Sequence, residues 1–220
     1  MPLTEYLFID ESGDPGNGEG DSSSYYAELS LHISNEGFPN FIRHAINWRY
    51  IRGLVGEMKR PPRGPDMERF LRPFSELQRS GIISCSSVYL IKDEYTGPYL
   101  KPSSPRGKNP ILFRNFIHRQ LLEHHFSLYP PATNNIELVF DRFEMSHEAI
   151  KNLEDYLRGN IRLPNFKHIT HADSLYTEAL QVASQLVNLV KDIPLGKAGL
   201  EQKALLSFIS LQDITKIQKP

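Results

Sequence analysis

Five short strand-like runs, at Tyr6–Ile9, Ser24–Ile33, Ile82–Ile91, Ile136–Phe140 and Phe166–Thr170, are spread along a chain of 220 residues, with helical patterns between most of them. Runs this short suit buried strands. Strands separated by helices long enough to cross back over a sheet restrict the chain to an α/β class, a mixed sheet flanked by helices. With 40% hydrophobic residues the chain can bury one sizeable core, so a single domain over residues 1–220 is expected.

The helical patterns have clear ends. Phe41 to Ile51 recurs at three and four spacings and stops near Gly53, and Pro65–Ser80 carries Phe70, Leu71, Phe74 and Leu77 on one side before Gly81. Asn109–Tyr129 is the longest and is stopped by Pro130 and Pro131; Ser146 is a serine cap for a helix reaching Arg158; Leu175–Val190 is strongly apolar. Gly196–Ile217 reads as further helix, so residues 192–220 form a helical extension. Asp93–Pro110 holds five prolines and glycines before Lys108 and no apolar period, which predicts an exposed loop made basic by Lys101, Arg106 and Lys108.

The chemistry gathers where strands end. Leu7, Phe8 and Ile9 run into Asp10, Glu11, Ser12 and Gly13, and the glycines and proline that follow turn the chain away at once. A carboxylate against apolar walls is costly when ionised unless a cation or hydrogen-bond donors compensate it. A hard divalent metal is the natural candidate. The same residues also describe an ordinary solvated turn. The run Ile136–Phe140 ends in Asp141, a repeat of the arrangement at Asp10, and Glu57 and Asp173 add two further acids. Four carboxylates on separate elements suffice to hold two divalent ions about 3.5–4 Å apart, the arrangement that clamps both oxygens in phosphodiester hydrolysis. No Gly-Lys-Ser or Gly-Lys-Thr follows the glycines, which excludes a Walker-type phosphate loop.

The net charge of -1 hides an asymmetry. Residues 1–42 contain eight acidic side chains and no Lys or Arg, whereas 43–119 contain fifteen basic and six acidic ones. An acidic corner beside a basic surface fits a metal site next to a region that attracts polyanions, although charge runs also occur as plain solvated faces. Cys85 is the only cysteine, which excludes a disulfide framework and any zinc site built on several thiolates; its apolar surroundings place it in the core. His118, His124 and His125 are read as structural or surface residues, because adjacent histidines cannot share one helix face. No run approaches the roughly 18 apolar residues a membrane helix needs, so a soluble, cytoplasmic protein without a membrane partner is expected.

FIDESGDPG at the start, EMK at Glu57 to Lys59, VFDR at Val139 to Arg142 and HADSLYTEALQVASQLV near the end occur in one order over about residues 5–191. In these the chain resembles the domain-of-unknown-function family 3800, whose members have a ribonuclease H-like fold and are regarded as nucleases of mobile elements and defence systems. The resemblance implies catalytic positions at Asp10, Glu57, Asp141 and Ser184, metal ligation by Asp10, Glu11, Glu57 and Asp141, and substrate contacts from Ser12, Lys59, Arg60, Asp173, Ser174 and Gln181. It further implies Mg2+ or Mn2+ as cofactor and DNA or RNA as partner. A homo-oligomer or a protein partner is left open.

One position departs from the family pattern. Where the pattern has Leu-Gln-x-Ala-Asp, this chain has Leu180, Gln181, Val182, Ala183 and Ser184. A neutral oxygen in place of a carboxylate weakens a divalent site. The sequence therefore leaves three alternatives: a natural variant with altered metal use, a catalytically silent relative that still binds nucleic acid or another partner, and a deliberately disabled form. Asn188, one helical turn further on, is placed to contribute an oxygen; Asp192, about 12 Å along the axis, is too far.

Overall fold

The first strand already divides the molecule into two sides. In β1 (Glu5–Gly13) the side chains of Leu7 and Ile9 enter one apolar cluster and that of Phe8 enters another, because successive residues of a strand point to opposite faces. The computed structural model describes residues 4–16, 23–53, 58, 61–141 and 146–217. The chain continues through β2 (Tyr25–Ile33), α1 (Phe38–Ile51), α2 (Pro65–Arg79), β3 (Ile83–Ile91), α3 (Pro110–Leu128) and β4 (Ile136–Asp141). It ends with α4 (His147–Arg158), β5 (Phe166–Ala172), a short 3-10 turn at Ser174–Tyr176, α5 (Glu178–Val190), α6 (Leu200–Leu205) and β6 (Ile209–Asp213).

The strands form one mixed sheet in the order β5-β4-β1-β2-β3-β6. β2 is antiparallel to both of its neighbours, and the pairs β1 with β4, β4 with β5 and β3 with β6 are parallel. The α/β class with a mixed sheet flanked by helices is therefore observed. On one face α1, α2 and α5 cover Phe8, Leu29, Leu31 and Cys85; on the other α3 and α4 cover Leu7, Ile9, Leu138 and Phe140.

Local sequence explains most of these elements. Ser146 caps α4 by accepting from the Ala149 N–H, and Asn109 caps α3 by accepting from the Leu112 N–H, satisfying donors that a helix start leaves open. Gly13 has φ of +99°, and a Cβ there would stand 2.5 Å from the Tyr25 carbonyl oxygen, so only glycine allows the β1–β2 turn to begin there.

Two expectations are corrected. The segment after Gly196 is not continuous helix: Leu200–Leu205 is helical, but Ile209–Asp213 is a sixth strand beside β3. Unlike Ile136–Phe140, the run ISLQD is not solidly apolar and follows Leu205, Leu206 and Phe208 with no glycine or proline between, so nothing local separates it from the helical pattern before it. The segment 93–110 is not a loosely exposed loop either. Tyr95 and Leu100 are buried in the α3-side core, and the Thr96 N–H donates to the Thr215 carbonyl at 3.0 Å. Two anchoring side chains separated by turn residues present no periodic signal.

The layer between β2 and α3 is polar. Tyr26, Glu28, Ser30 and His32 project toward α3, and Glu28 and Ser30 are fully buried. Glu28 Oε2 lies 2.9 Å from His118 Nδ1. His125 Nδ1 lies 3.0 Å from Ser30 Oγ and 2.9 Å from Ser86 Oγ, while its Nε2 is 3.2 Å from His32 Nδ1, and His32 Nε2 is 3.1 Å from Glu5 Oε2. His118 and His125 are thus structural, seven residues apart on one face of α3. Burial holds the His125 imidazole well below the ordinary histidine range.

Candidate active site

Asp10 and Asp141 come together because their strands are parallel neighbours. Ile9 pairs with Phe140 at the C-terminal end of the parallel β1–β4 ladder, and Asp10 and Asp141 are the residues that follow; β4 ends at Asp141, but β1 continues beside β2 to Gly13, which corrects the expected turn immediately after Asp10. In open α/β sheets this end is where ligands bind. Helix α5 runs over β1 on the same face and supplies Ser184, whose hydroxyl bonds the Asp10 carboxylate. Asp10 also accepts from the Glu11 N–H at 2.8 Å, and Asp141 Oδ1 accepts from the Ser174 N–H at 3.2 Å.

The electrostatics follow from this crowding. Asp10 is 7% exposed, and burial, with the neighbouring Asp141 charge next in importance, pushes its carboxyl up to about 7. The Glu11 N–H and the Ser184 hydroxyl act in the opposite direction without cancelling that rise. Two hard oxygen donors held side by side in this way suit a divalent cation of the magnesium or manganese type. Among the described residues no group of three or more His, Cys, Asp or Glu side chains is arranged to hold a metal ion. Glu57, the third expected carboxylate, lies outside the described residues, as do Lys59 and Arg60.

Glu11 is placed elsewhere. The pleat that aims Asp10 at α5 aims Glu11 at α3, where the Tyr26 hydroxyl donates to its Oε2 and Arg114 Nη2 donates to its Oε1 at 3.0 Å. The compensating cation that a carboxylate in this position needs is, for Glu11, an arginine from a residue 103 positions later.

The remaining expected contacts have structural partners. The Asp173 carboxylate accepts from the Leu175 N–H at 2.8 Å and so caps the 3-10 turn. Ser174 is buried and holds Asp141 through its main chain. Gln181 is 1% exposed: its Nε2 donates to the Ser174 carbonyl at 2.8 Å and its Oε1 accepts from the Met58 N–H at 3.2 Å. Gln185 Nε2 donates to the Met58 carbonyl. Two glutamines one turn apart therefore grip both polar main-chain atoms of the residue between Glu57 and Lys59. Asp192, dismissed on distance, is engaged by Arg63.

Above Asp10 the structure joins Ser12 and Asn188, both named from the sequence, with Tyr25 and Lys191, which the sequence reading missed. Ser12, two positions beyond Asp10 on the same face of β1, donates from Oγ to Asn188 Oδ1 at 3.1 Å and lies 3.1 Å from the Tyr25 hydroxyl. Lys191 Nζ donates to the same Asn188 oxygen at 2.8 Å. A signal existed for Lys191, since 184, 188 and 191 recur at helical spacing; for Tyr25 there was none, because its approach depends on the β1–β2 pairing. A cavity of about 420 Å³ lined by Glu5, His32 and Tyr129 opens at the other end of β1, away from the acids.

Among the described residues no helix is long and apolar enough to cross a membrane. No family model matches the sequence, and no curated protein matches it.

Proposed function

We propose that this chain is a metal-dependent nuclease of ribonuclease H-like type that hydrolyses phosphodiester bonds in DNA or RNA. The observation that carries the reading is the placement of Asp10 and Asp141 just beyond the C-terminal end of the parallel β1–β4 ladder, with Asp10 largely desolvated beside a second carboxylate. The mixed sheet in the order β5-β4-β1-β2-β3-β6, with β2 alone reversed and helices on both faces, supports that type of fold. The ordered resemblance to the domain-of-unknown-function family 3800 supports it from the sequence side.

In this reading Asp10 and Asp141 would hold Mg2+ or Mn2+, with Glu57 as the candidate for a further ligand. A divalent cation bound there supplies Lewis acidity that lowers the pKa of an attacking water and neutralises the leaving 3′ oxygen. The protein's own contribution is positional. Ser184 and the Glu11 N–H orient the Asp10 carboxylate, and the Ser174 N–H orients Asp141. One phosphorus–oxygen bond forms from water as the bond to the 3′ oxygen breaks, leaving a 5′ phosphate and a 3′ hydroxyl; the attacking water gives a proton to solvent, the leaving oxygen takes one from solvent, and nothing is oxidised or reduced.

A second reading has one observation in its favour. Ser184 satisfies Asp10 with a hydroxyl where the family pattern has a carboxylate, which suits a protein that keeps the fold and binds nucleic acid without cutting it. Cleavage of labelled single-stranded, duplex and hybrid DNA and RNA in Mg2+ or Mn2+ separates the two. Turnover by the natural chain that is lost in Asp10→Asn supports the nuclease. Turnover only in Ser184→Asp supports the silent binder, and turnover in neither overturns the nuclease reading.

A further inference from the structure

Beyond Asp10, the groove between β1 and α5 carries a second polar cluster that the chemistry above does not use. Ser12 stands about 7 Å from Asp10, two strand residues further along the same face. Asn188 is fixed by donating from Nδ2 to the Ser184 carbonyl at 2.9 Å, which leaves its Oδ1 to receive both Ser12 Oγ and Lys191 Nζ. Lys191 Nζ also lies 5.7 Å from the centroid of the Tyr25 ring, whose hydroxyl is 3.1 Å from Ser12 Oγ. Ser12, Tyr25, Asn188 and Lys191 thus form one connected set drawn from β1, β2 and α5.

The partners of Lys191 set it apart from the cations nearby. Lys92 is paired with Asp14, Arg114 with Glu11, Arg63 with Asp192 and Arg49 with Glu178. Among the described residues Lys191 meets only an amide oxygen and an aromatic face and has no carboxylate partner. It is partly exposed, as are Tyr25 and Asn188. An ammonium held by neutral dipoles keeps its charge available, and the Tyr25 hydroxyl beside it can rotate to donate; Ser12, 6% exposed, donates to an anion by exchanging it for the Asn188 oxygen. That is the chemistry of an anion site, and a phosphate accepts such donors well.

We propose that Lys191, Tyr25 and Ser12 form a phosphate subsite that holds the phosphodiester next to the one at Asp10 and Asp141. The substrate class is then a polynucleotide strand, bound by at least two consecutive phosphates, rather than a mononucleotide or a simple phosphate ester. The proposal rests on the nuclease reading for the identity of the neighbouring site. The separation of Ser12 from Asp10 is of the order of one nucleotide, so one strand laid along β1 reaches both.

Lys191 also caps α5, where a cation favours the helix dipole, so a merely structural role must be told apart from binding. The probe is a fluorescein-labelled single-stranded oligonucleotide, as DNA and as RNA, measured by anisotropy in EDTA across a salt series. Each phosphate contact on a single strand contributes about 0.7 to the slope of log affinity against log salt. Lys191→Met should lower that slope by about 0.7 and weaken binding several-fold at low salt, Lys191→Arg should restore the slope, and Tyr25→Phe should weaken binding without changing it. In Mn2+ the Lys191→Met loss should be larger on the oligonucleotide than on a nucleotide ester with a single phosphodiester. An unchanged slope and affinity in Lys191→Met, no binding by the natural chain at low salt, or equal losses on the two substrates overturns the subsite. A lowered slope in a chain that cleaves nothing supports the subsite while the nuclease reading falls.

Discussion

Replacing Asp10 with Asn should stabilise the metal-free protein, because at neutral pH the folded state holds a carboxylate where a neutral group is preferred. The carboxyl rises from the usual 3.8 to about 7 on folding, chiefly through burial and then through Asp141. Its protonated form is therefore favoured by the fold: the associated stability is fully present below about pH 4 and is lost as pH rises to about 7, beyond which the loss levels off. Each pH unit between the two values is worth about 1.4 kcal/mol, so the ionised site costs about 4 kcal/mol at pH 8. For a domain of this size about 1 kcal/mol moves the melting temperature by roughly 2–4 °C, which gives an expected gain of about 10 °C for Asp10→Asn. Asn is nearly isosteric, its Oδ1 can keep the Glu11 N–H and the Ser184 hydroxyl, and its Nδ2 can donate toward Asp141. Thermal melts followed by circular dichroism in EDTA at pH 4, 6 and 8 provide the assay. The gain should be absent at pH 4, intermediate at pH 6 and full at pH 8. Adding Mn2+ at pH 8 should raise the melting temperature of the natural chain and not that of Asp10→Asn. Equal melting temperatures at pH 8 for the two proteins in EDTA would refute the claim that Asp10 is desolvated beside Asp141.

His125 gives a pH dependence of opposite sign. Its folded pKa is depressed by burial, so its contribution is present above about pH 6.5 and is lost as pH falls, and in an Asp10→Asn background urea denaturation should show stability declining from pH 7 to pH 5.5. A His125→Gln variant should show a shallower decline, and an identical one would remove His125 as its source. Gln181→Leu leaves the buried Met58 N–H without its partner and takes the amide from the Ser174 carbonyl, which keeps the Thr177 N–H, and this should cost about 1–3 kcal/mol in chemical denaturation. It should also lower cleavage beyond what the stability loss explains, whereas a substrate-contacting role alone would leave stability intact.

Much of the fold was legible because period is a local property. The run Ser24–Ile33 corresponds to β2 at Tyr25–Ile33, and Pro65–Ser80 to α2 at Pro65–Arg79, because each carries enough apolar residues to display its repeat. β6 was missed because ISLQD is not solidly apolar and no glycine or proline separates it from Leu205, Leu206 and Phe208. Local chemistry also pointed to Asp10 and Asp141 as strand-end acids, and the register of β1 with β4 brings them together. It grouped Asp10 with Glu11 as well, since the two are adjacent in sequence.

The sequence by itself determined most of the segments that become strands and helices, and that carboxylates follow the apolar runs of two of the strands, since these depend on residue spacing and turn residues within a short window. Only the tertiary structure decided what each carboxylate faces. Asp10 lies under α5 with Ser184 and beside Asp141, while Glu11 lies under α3 with Arg114 and Tyr26. Alternation along a strand fixes that neighbours point apart, but which helix covers which face is set by how the whole sheet buries its two apolar sides. The same packing brings Ser12, Tyr25 and Lys191 into one cluster, because contacts between residues more than a hundred positions apart leave no periodic trace in the chain.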